Sequence, residues 1–402
     1  MQFLLSAGEA SGDTYGAQLA HALGKLAPNA TFFGMGGDKM RAAGCELLID
    51  AKDVAVVGLV EVVRHLPDIR QRFKHLVVEA ERRKPAAAVL IDFPDFNLRL
   101  ARELHRLGIP VFYFVSPQIW AWRTGRVKQV QKYVRKMIVI FPFEQEFYRR
   151  HGVEVSYVGH PLAYEPPPQV SREEFAAQHR VDPQKQWIAL LPGSRRKEVR
   201  LNLLPMLQAA ALLQKQGDFE FILPVASTLD PQWLAGQWTT YRLQPQAAAG
   251  EAESFSSIHL TTNARATLMH ARAAVVASGT ATVEAALSGT PFVVVYRLAP
   301  LTWILGRRLV KLDTFAMPNL IAGEKIVPEL IQKDFTAENV VRALEAIIAD
   351  GPARKKMLDA LKMVQDRLCD RADAEPPALK AAREVLAQIN WHKGSFSGKI
   401  YI

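Results

Sequence analysis

Two runs of strand–helix alternation, separated by three consecutive prolines, constrain this chain more than any other feature. In the first run, short apolar segments at Phe3–Ala7, Ala86–Ile91, Val111–Val115, Met137–Phe141 and Val155–Val158 read as buried strands. Amphipathic stretches such as Tyr15–Leu26 and Leu98–Leu107 read as helices between them. That pattern predicts a parallel sheet with helices on both faces. Pro166, Pro167 and Pro168 can continue neither a helix nor a central strand, so a linker is expected there. The alternation then resumes with Trp187–Leu191, a helix from about Leu201 to Gln216, Phe219–Pro224, Ala273–Ala277, a helix from about Thr282, and Pro291–Tyr296. Val340, Leu344, Ile347 and Ile348 keep helical spacing, and a last helix is expected over Ala378–Ile389. A chain of 402 residues is long for one core. The expected architecture is therefore α/β, with one doubly wound domain over 1–165, a second over 166–350, and helices over 351–402. In open α/β sheets ligands bind beyond the carboxyl ends of the strands, which places the expected site in a central cleft between the domains.

Composition narrows the class of partner. The formal net charge of +10 points to anions: nucleotide diphosphates, an acidic membrane face or nucleic acid. No nucleic-acid module is recognisable, so nucleic acid is not the expected partner. No apolar run approaches the roughly 20 residues that span a bilayer. The start, Met1–Leu5, carries no basic leader, and Cys45 and Cys369 form neither a disulfide framework nor a zinc motif. A cytoplasmic protein is expected.

Four turns can carry chemistry. Ala7-Gly-Glu-Ala-Ser-Gly-Asp13 follows the first strand and opens a helix. Gly8 and Gly12 permit close backbone approach, and Glu9 and Ser11 stand beside free helix-start N–H groups. It is not GxGxxG, so no dinucleotide fingerprint is present. A turn with no ligand is the other reading, and it weighs more heavily for Gly34-Met-Gly-Gly37. Asp92-Phe-Pro-Asp-Phe-Asn97 follows the strand Ala86–Ile91 and sets two carboxylates at its end, where acid–base chemistry is well placed. An Asp can equally cap the helix expected near Asn97, and the expectation is that one caps while the other is functional.

In the second half, Gly193, Ser194 and Arg195 close the first strand. Backbone donors at a helix start plus a guanidinium make a diphosphate cradle, unless this is only an exposed basic turn. Ser278, Gly279 and Thr280 form another small-residue turn, and Glu284 stands about one helical turn later. A carboxylate there can accept ribose hydroxyls, as in dinucleotide folds, or simply favour a helix N-terminus.

Two surfaces remain. Gln118–Lys136 holds six basic residues and no acid, with Val127, Val130 and Val134 as an apolar stripe, and reads as a solvated helix face. Val54–Val63 is very apolar and is followed by Arg64, Arg70, Arg72 and Lys74. Burial in the core explains it; docking on an anionic membrane does so as well. Leu301–Lys311 has the same mixture.

These motifs, in this order, resemble the lipid-A-disaccharide synthase family: AGEASGD at 7–13, VVGLVEVV at 56–63, IDFPDFN at 91–97, FVSPQIWAW at 114–122, PFEQEFY at 142–148, VGHP at 158–161, LPGSR at 191–195, SGTATVE at 278–284 and PNLIAGEKIVPELIQ at 318–332. The final residues, about Ser395–Ile402, match nothing in it. The resemblance implies the GT-B architecture, two doubly wound Rossmann-like domains facing a central cleft, with C-terminal helices returning to the N-terminal domain. It implies no metal and no cofactor. It also implies transfer of 2,3-diacylglucosamine from UDP-2,3-diacylglucosamine to 2,3-diacylglucosamine 1-phosphate, at the cytoplasmic face of the inner membrane of Gram-negative bacteria, as a peripheral enzyme. The absence of any D-x-D triplet disfavours the metal-dependent sugar-nucleotide transferases of the other common fold. Carried over by motif, the essential Asp is Asp95, the GSR arginine is Arg195 and the PN asparagine is Asn319. The membrane-facing segment is Val56, Val57, Leu59, Val60, Val62 and Val63, with Arg64 beside it. Homodimers by domain swap occur in some members, and the sequence leaves that open here.

An α-linked donor and a β-1,6 product require inversion by one in-line displacement, with Asp95 as base and Arg195 and helix-start amides holding the leaving UDP. The rivals are a UDP-N-acetylglucosamine 2-epimerase-like isomerase, which has no use for a lipid surface, and a non-catalytic nucleotide-binding module.

Overall fold

The computed structural model describes residues 1–54, 59–122, 124–242, 258–298, 314–369 and 375–390. It divides into two compact units, Met1–Tyr164 with Leu368–Ile402, and Glu165–Arg367. Residues 166–170 carry no regular structure, as proline at three of those positions dictates.

The first unit holds a seven-stranded sheet in the order β3-β2-β1-β4-β5-β6-β7. Its strands are β1 (Gln2–Ala7), β2 (Thr31–Gly36), β3 (Cys45–Asp50), β4 (Ala87–Ile91), β5 (Val111–Phe114), β6 (Lys136–Val139) and β7 (Val155–Tyr157). Every adjacent pair is parallel. The period of two sorts β1 between two cores: Phe3, Leu5 and Ala7 on one face, Leu4 on the other. The first core also takes Leu19 and Leu23 of the helix Ala10–Leu26, and Ala381 and Val385 of the last helix, Pro377–Asn390. Lys136 Nζ to Glu384 (2.7 Å) and Arg135 Nε to Gln388 (3.1 Å) fasten that helix, so Pro377–Asn390 returns to the sheet in which the chain began.

Some elements differ from the expectation. Gly34-Met-Gly36 is no turn but part of β2, with Met35 fully buried. The glycines disguise the strand because they leave only scattered side chains to show its period. From Leu59 onward the apolar segment is helical, continuing to Arg83 through Pro67. This helix seats Leu76 and Ala80 in the second core, and Phe73 meets the Phe96 ring edge-on at 5.2 Å. Leu59, Val60, Val62, Val63 and Arg64 stand on its first two turns, whereas Val56 and Val57, Leu301–Lys311 and Ser395–Ile402 lie outside the described residues. Arg72 pairs with Asp53 at 2.8 Å. Val127, Val130 and Val134 are buried, so the basic residues Lys128 and Lys132 do face solvent.

The second unit holds a six-stranded sheet in the order β10-β9-β8-β11-β12-β13, also parallel throughout. The strands are β8 (Gln186–Leu191), β9 (Phe219–Pro224), β10 (Ile258–Thr261), β11 (Ala273–Ala277), β12 (Phe292–Tyr296) and β13 (Glu329–Ile331). In each sheet the order reverses once, beside β1 and β4 in the first and beside β8 and β11 in the second. Such a switch point opens a crevice at the carboxyl ends, because the connections on its two sides depart in opposite directions.

Candidate functional site

In the first unit the turn after β4 lies at the switch point. Asp92 (φ 44°) and Phe93 (φ 49°) are left-handed, as is Val115 (φ 61°) just beyond β5. Each costs a non-glycine residue roughly 1–2 kcal/mol, so surrounding bonds must enforce it. They do. Tyr113 donates its hydroxyl to the Asp92 carbonyl at 2.6 Å, and the Asn97 amide donates to the same oxygen at 2.8 Å. Asn97, fully buried, also donates to the carbonyls of Ser6 and Ile91 (both 3.2 Å) and accepts the Ser6 hydroxyl at 2.7 Å. The Asp92 N–H reaches the carbonyls of Phe114 and Val115 at 3.3 and 3.2 Å.

Pro94 then starts the helix Pro94–Arg106, and Asp95 is its second residue. The N-cap position belongs to Phe93, with no side-chain cap bond, so neither Asp caps the helix as the sequence suggested. A left-handed backbone at the helix entrance turns Asp95 outward instead. Its carboxylate is largely exposed and pairs with the Arg126 guanidinium.

The turn after β1 packs onto this loop. A Cβ on Gly8 would lie 2.3 Å from the Phe93 ring, so glycine is what allows the two turns to touch. Glu9 is the extended N-cap of the helix Ala10–Leu26, and Ser11 lies exposed in its first turn. Asp13 is buried and architectural, accepting the N–H groups of Gly37 (2.7 Å), Lys39 (3.0 Å) and Met40 (3.0 Å).

A buried polar cluster supports the neighbouring segment. Glu144 is 1% exposed and accepts the Phe141 N–H at 3.2 Å and the Trp120 indole N–H at 3.1 Å. Burial pushes its carboxyl up to about 8 against those donors. Ser116 and Tyr148 share a 2.8 Å hydrogen bond beside it, and burial raises the Tyr148 phenol well above its ordinary value. His160, tilted against the Phe141 ring at 5.0 Å, is pushed down to about 3 by burial and is neutral. Sequence reasoning missed Arg126, Glu144 and Ser116; Arg126 was counted among the solvated charges.

In the second unit the turns after β8 and β11 leave adjacent strands at the switch point. Gly193 is left-handed (φ 123°), and Arg195 is the N-cap of the helix Arg196–Gln214, which starts five residues earlier than the sequence suggested. Glu198 fills this turn: its carboxylate accepts the Ser194 N–H at 3.2 Å and pairs with Arg195 at 3.2 Å. A Cβ on Gly193 would come within 2.7 Å of it. An internal anion therefore rests on the donors expected to hold a diphosphate. Tyr296, at the end of β12, is raised by burial first and by Glu198 next. The Thr228 hydroxyl holds the Ser194 carbonyl at 2.6 Å.

Gly279 and Thr280 are exposed at the start of the helix Thr280–Leu287, and the Ser278 hydroxyl donates to the Phe315 carbonyl at 3.2 Å. Glu284 is half-buried one turn on; burial raises its pKa, which Arg265 opposes and Glu165 reinforces. Asn319 is 1% exposed and spends its amide on its own unit. It accepts the N–H groups of Ile326 (2.8 Å) and Val327 (2.9 Å), and donates to the Val327 carbonyl (3.0 Å) and to Glu329 (2.7 Å). Glu329 in turn accepts the N–H groups of Phe315 (2.9 Å) and Ala316 (3.2 Å). Asn319 thus shapes the wall on which Ser278 rests. Among the described residues no three His, Cys, Asp or Glu side chains are grouped to hold a metal ion.

The comparisons with known proteins give the family and the fold. Residues 3–380 match the family model described as Lipid-A-disaccharide synthetase. A lipid-A-disaccharide synthase from Koribacter versatilis is 54% identical over 388 residues, covering 96% of this chain and 98% of the relative. Among solved structures, the glycotransferase of kitacinnamycin superposes with a TM-score of 0.62 at 14% identity, covering 96% of this chain and 98% of that one. A putative UDP-N-acetylglucosamine 2-epimerase from Listeria monocytogenes does so with 0.55 at 14% identity, covering 100% and 99%. At such identities the structures speak for the GT-B fold alone, which glycosyltransferases and epimerases share.

Proposed function

The chain belongs to the lipid-A-disaccharide synthase family and is a glycosyltransferase with a nucleotide-sugar donor and a sugar-phosphate acceptor; from that premise we propose the following reaction. UDP-2,3-diacylglucosamine gives its sugar to the 6-hydroxyl of 2,3-diacylglucosamine 1-phosphate, yielding the β-1,6 disaccharide 1-phosphate and UDP. Asp95 takes the hydroxyl proton as oxygen attacks the anomeric carbon, and the bond to the diphosphate breaks with its electron pair leaving on UDP. Gly193, Ser194 and Arg195 hold the charge that develops on the leaving group, which requires Glu198 to yield its place. Ser278, Gly279 and Thr280 border that pocket, and Glu284 accepts the ribose hydroxyls.

The observation that carries this reading is Asp95, a carboxylate turned outward at the switch point by a backbone that buried bonds enforce. The epimerase reading shares the fold but not the family. Acyl chains on both substrates favour work at a lipid–water boundary, with the apolar start of the helix Leu59–Arg83 on a cytoplasmic membrane face; no described helix is long and apolar enough to cross a membrane. The test is incubation with both acylated sugars, scoring UDP and disaccharide together, in wild type and Asp95→Ala. The variant should lose about 10²–10⁴ in turnover while still binding UDP. Turnover near wild type would reduce Asp95 to a surface acid.

A further inference from the structure

Asn202 lies beneath the turn after β8 much as Asn97 lies beneath the turn after β4, but the two amides are used differently. Asn97 has partners on both sides of its amide: its nitrogen donates to three carbonyls and its oxygen accepts the Ser6 hydroxyl. Asn202, in the first half of the helix Arg196–Gln214, has no solvent exposure and donates to the Pro192 carbonyl at 3.0 Å. Its own oxygen is buried without a donor among the described residues. A buried acceptor without a partner opposes folding, so an apolar side chain of this shape would serve stability as well. The one bond that Asn202 makes has another consequence. The Pro192–Gly193 peptide is planar and trans, so its N–H points opposite to its carbonyl. Asn202 draws the carbonyl inward, and the Gly193 N–H therefore faces out of the turn, where nothing among the described residues accepts it. The next N–H, that of Ser194, already meets an anion, the Glu198 carboxylate at 3.2 Å. Successive backbone N–H groups in such a turn make an anion-binding concavity. Gly193 is left-handed (φ 123°) and carries no side chain, so this peptide is free to rotate unless something holds it. Rotated, it would turn its carbonyl outward and set a partial negative charge against a diphosphate.

We propose that Asn202 is a positioning residue for the sugar-nucleotide donor: by holding the Pro192 carbonyl inside the protein, it keeps the Gly193 N–H aimed at the leaving diphosphate. The proposal rests on the reading that Gly193, Ser194 and Arg195 hold that diphosphate. As the bond to the sugar breaks, its electron pair stays on the diphosphate, and a donor fixed beforehand stabilises that charge without reorienting. Asn202 itself touches no substrate. Its amide cannot turn over while the peptide stands as it does, because its oxygen would then face the Pro192 oxygen. Side chain and peptide are therefore locked as a pair.

The test compares wild type, Asn202→Leu, Asn202→Asp and Arg195→Ala by calorimetric titration with UDP, by donor and acceptor KM, and by thermal unfolding. Leucine keeps the shape and donates nothing, so the carbonyl is free to turn out to water. UDP binding should weaken about 10- to 100-fold, the worth of a hydrogen bond to a charged group. Donor KM should rise with it, while acceptor KM and the melting temperature stay near those of the wild type. Asn202→Asp supplies the rescue. Ionised at about pH 8, the new carboxylate only accepts, and this variant should bind UDP more weakly than Asn202→Leu. Protonated toward about pH 5, as burial favours, it donates like the amide and should bind UDP more tightly than Asn202→Leu. Expressing each affinity as a ratio to wild type at the same pH removes the ionisations that the proteins share. A change of packing or of charge alone cannot reverse the order of the two variants. Wild-type UDP affinity in Asn202→Leu overturns the proposal, and so does an order that is the same at both pH values. Loss of the thermal transition in Asn202→Leu overturns it as well, since the side chain would then be a brace of the fold. Should Asn202→Asp fail to fold, the leucine variant decides alone. Arg195→Ala separates the two claims: if it weakens UDP binding and Asn202→Leu does not, the cradle stands and the positioning role falls. If both variants bind UDP as the wild type does, the cradle falls too.

Discussion

Replacing Glu144 by Gln removes a proton that the fold holds. Burial moves this carboxyl from 4.5 to about 8. Below the lower value the native and unfolded states are both protonated and the group contributes nothing. Between the two values the unfolded chain has released the proton and the native chain has not, so stability falls as pH rises. Above the upper value the penalty is constant. Each pH unit in the window is worth about 1.4 kcal/mol, so between about pH 5 and pH 8 the wild type should lose about 4 kcal/mol relative to Glu144→Gln. The amide also presents a donor where Glu144 accepts from Trp120 and Phe141, a cost of about 1–3 kcal/mol that does not vary with pH. It sets the offset between the two curves, not their difference in slope. Thermal unfolding of both proteins across this range reads the effect as a relative change of about 10 °C, at roughly 2–4 °C per kcal/mol for folding units of this size. Tyr148 is held well above the window; His160, neutral in the fold but ordinarily titrating at 6.5, adds stability as pH rises to that value, equally in both proteins, so it cancels from the comparison. Parallel pH curves would refute the reasoning, for Glu144 would then ionise in the fold without penalty.

Three further outcomes are expected. Gly8→Ala should lower stability by about 1–3 kcal/mol, since its Cβ would overlap the Phe93 ring, and should reduce transfer as the Asp95 loop shifts; unchanged melting and turnover would show that Phe93 moves freely. Glu198→Gln should tighten UDP binding by up to about fivefold in calorimetric titration, the worth of an exposed ion pair displaced from the cradle; weaker binding would mean that Glu198 positions Arg195 for the diphosphate. Leu59→Ser with Val60→Ser should weaken salt-sensitive binding to anionic vesicles while preserving the thermal transition; loss of the transition would return the segment to the core.

Continuous apolar runs marked β1, β4, β5, β8, β11 and β12, because a strand buried on both faces must be apolar on both, and that is a local demand on sequence. β2 was hidden by Gly34 and Gly36, and β3 by Glu46 and Asp50, since glycines and edge polarity erase the same signal. The acids after β4 and the small-residue turns after β1, β8 and β11 were legible for a similar reason: a strand end followed by a helix start is a local event. What only the tertiary structure decided is which groups those turns face. The sequence offered Asp92 and Asp95 as alternatives for a cap, and a left-handed Phe93 took that position from both. Arg126 looked like one charge in a basic stretch until the chain's path brought it to Asp95. Glu198 looked like a helix-start acid until it lay across the donors of Ser194 and Arg195. Burial writes itself into the sequence one residue at a time, whereas an ion pair between elements far apart in the chain depends on where the sheet order returns the chain, and no local pattern carries that distance.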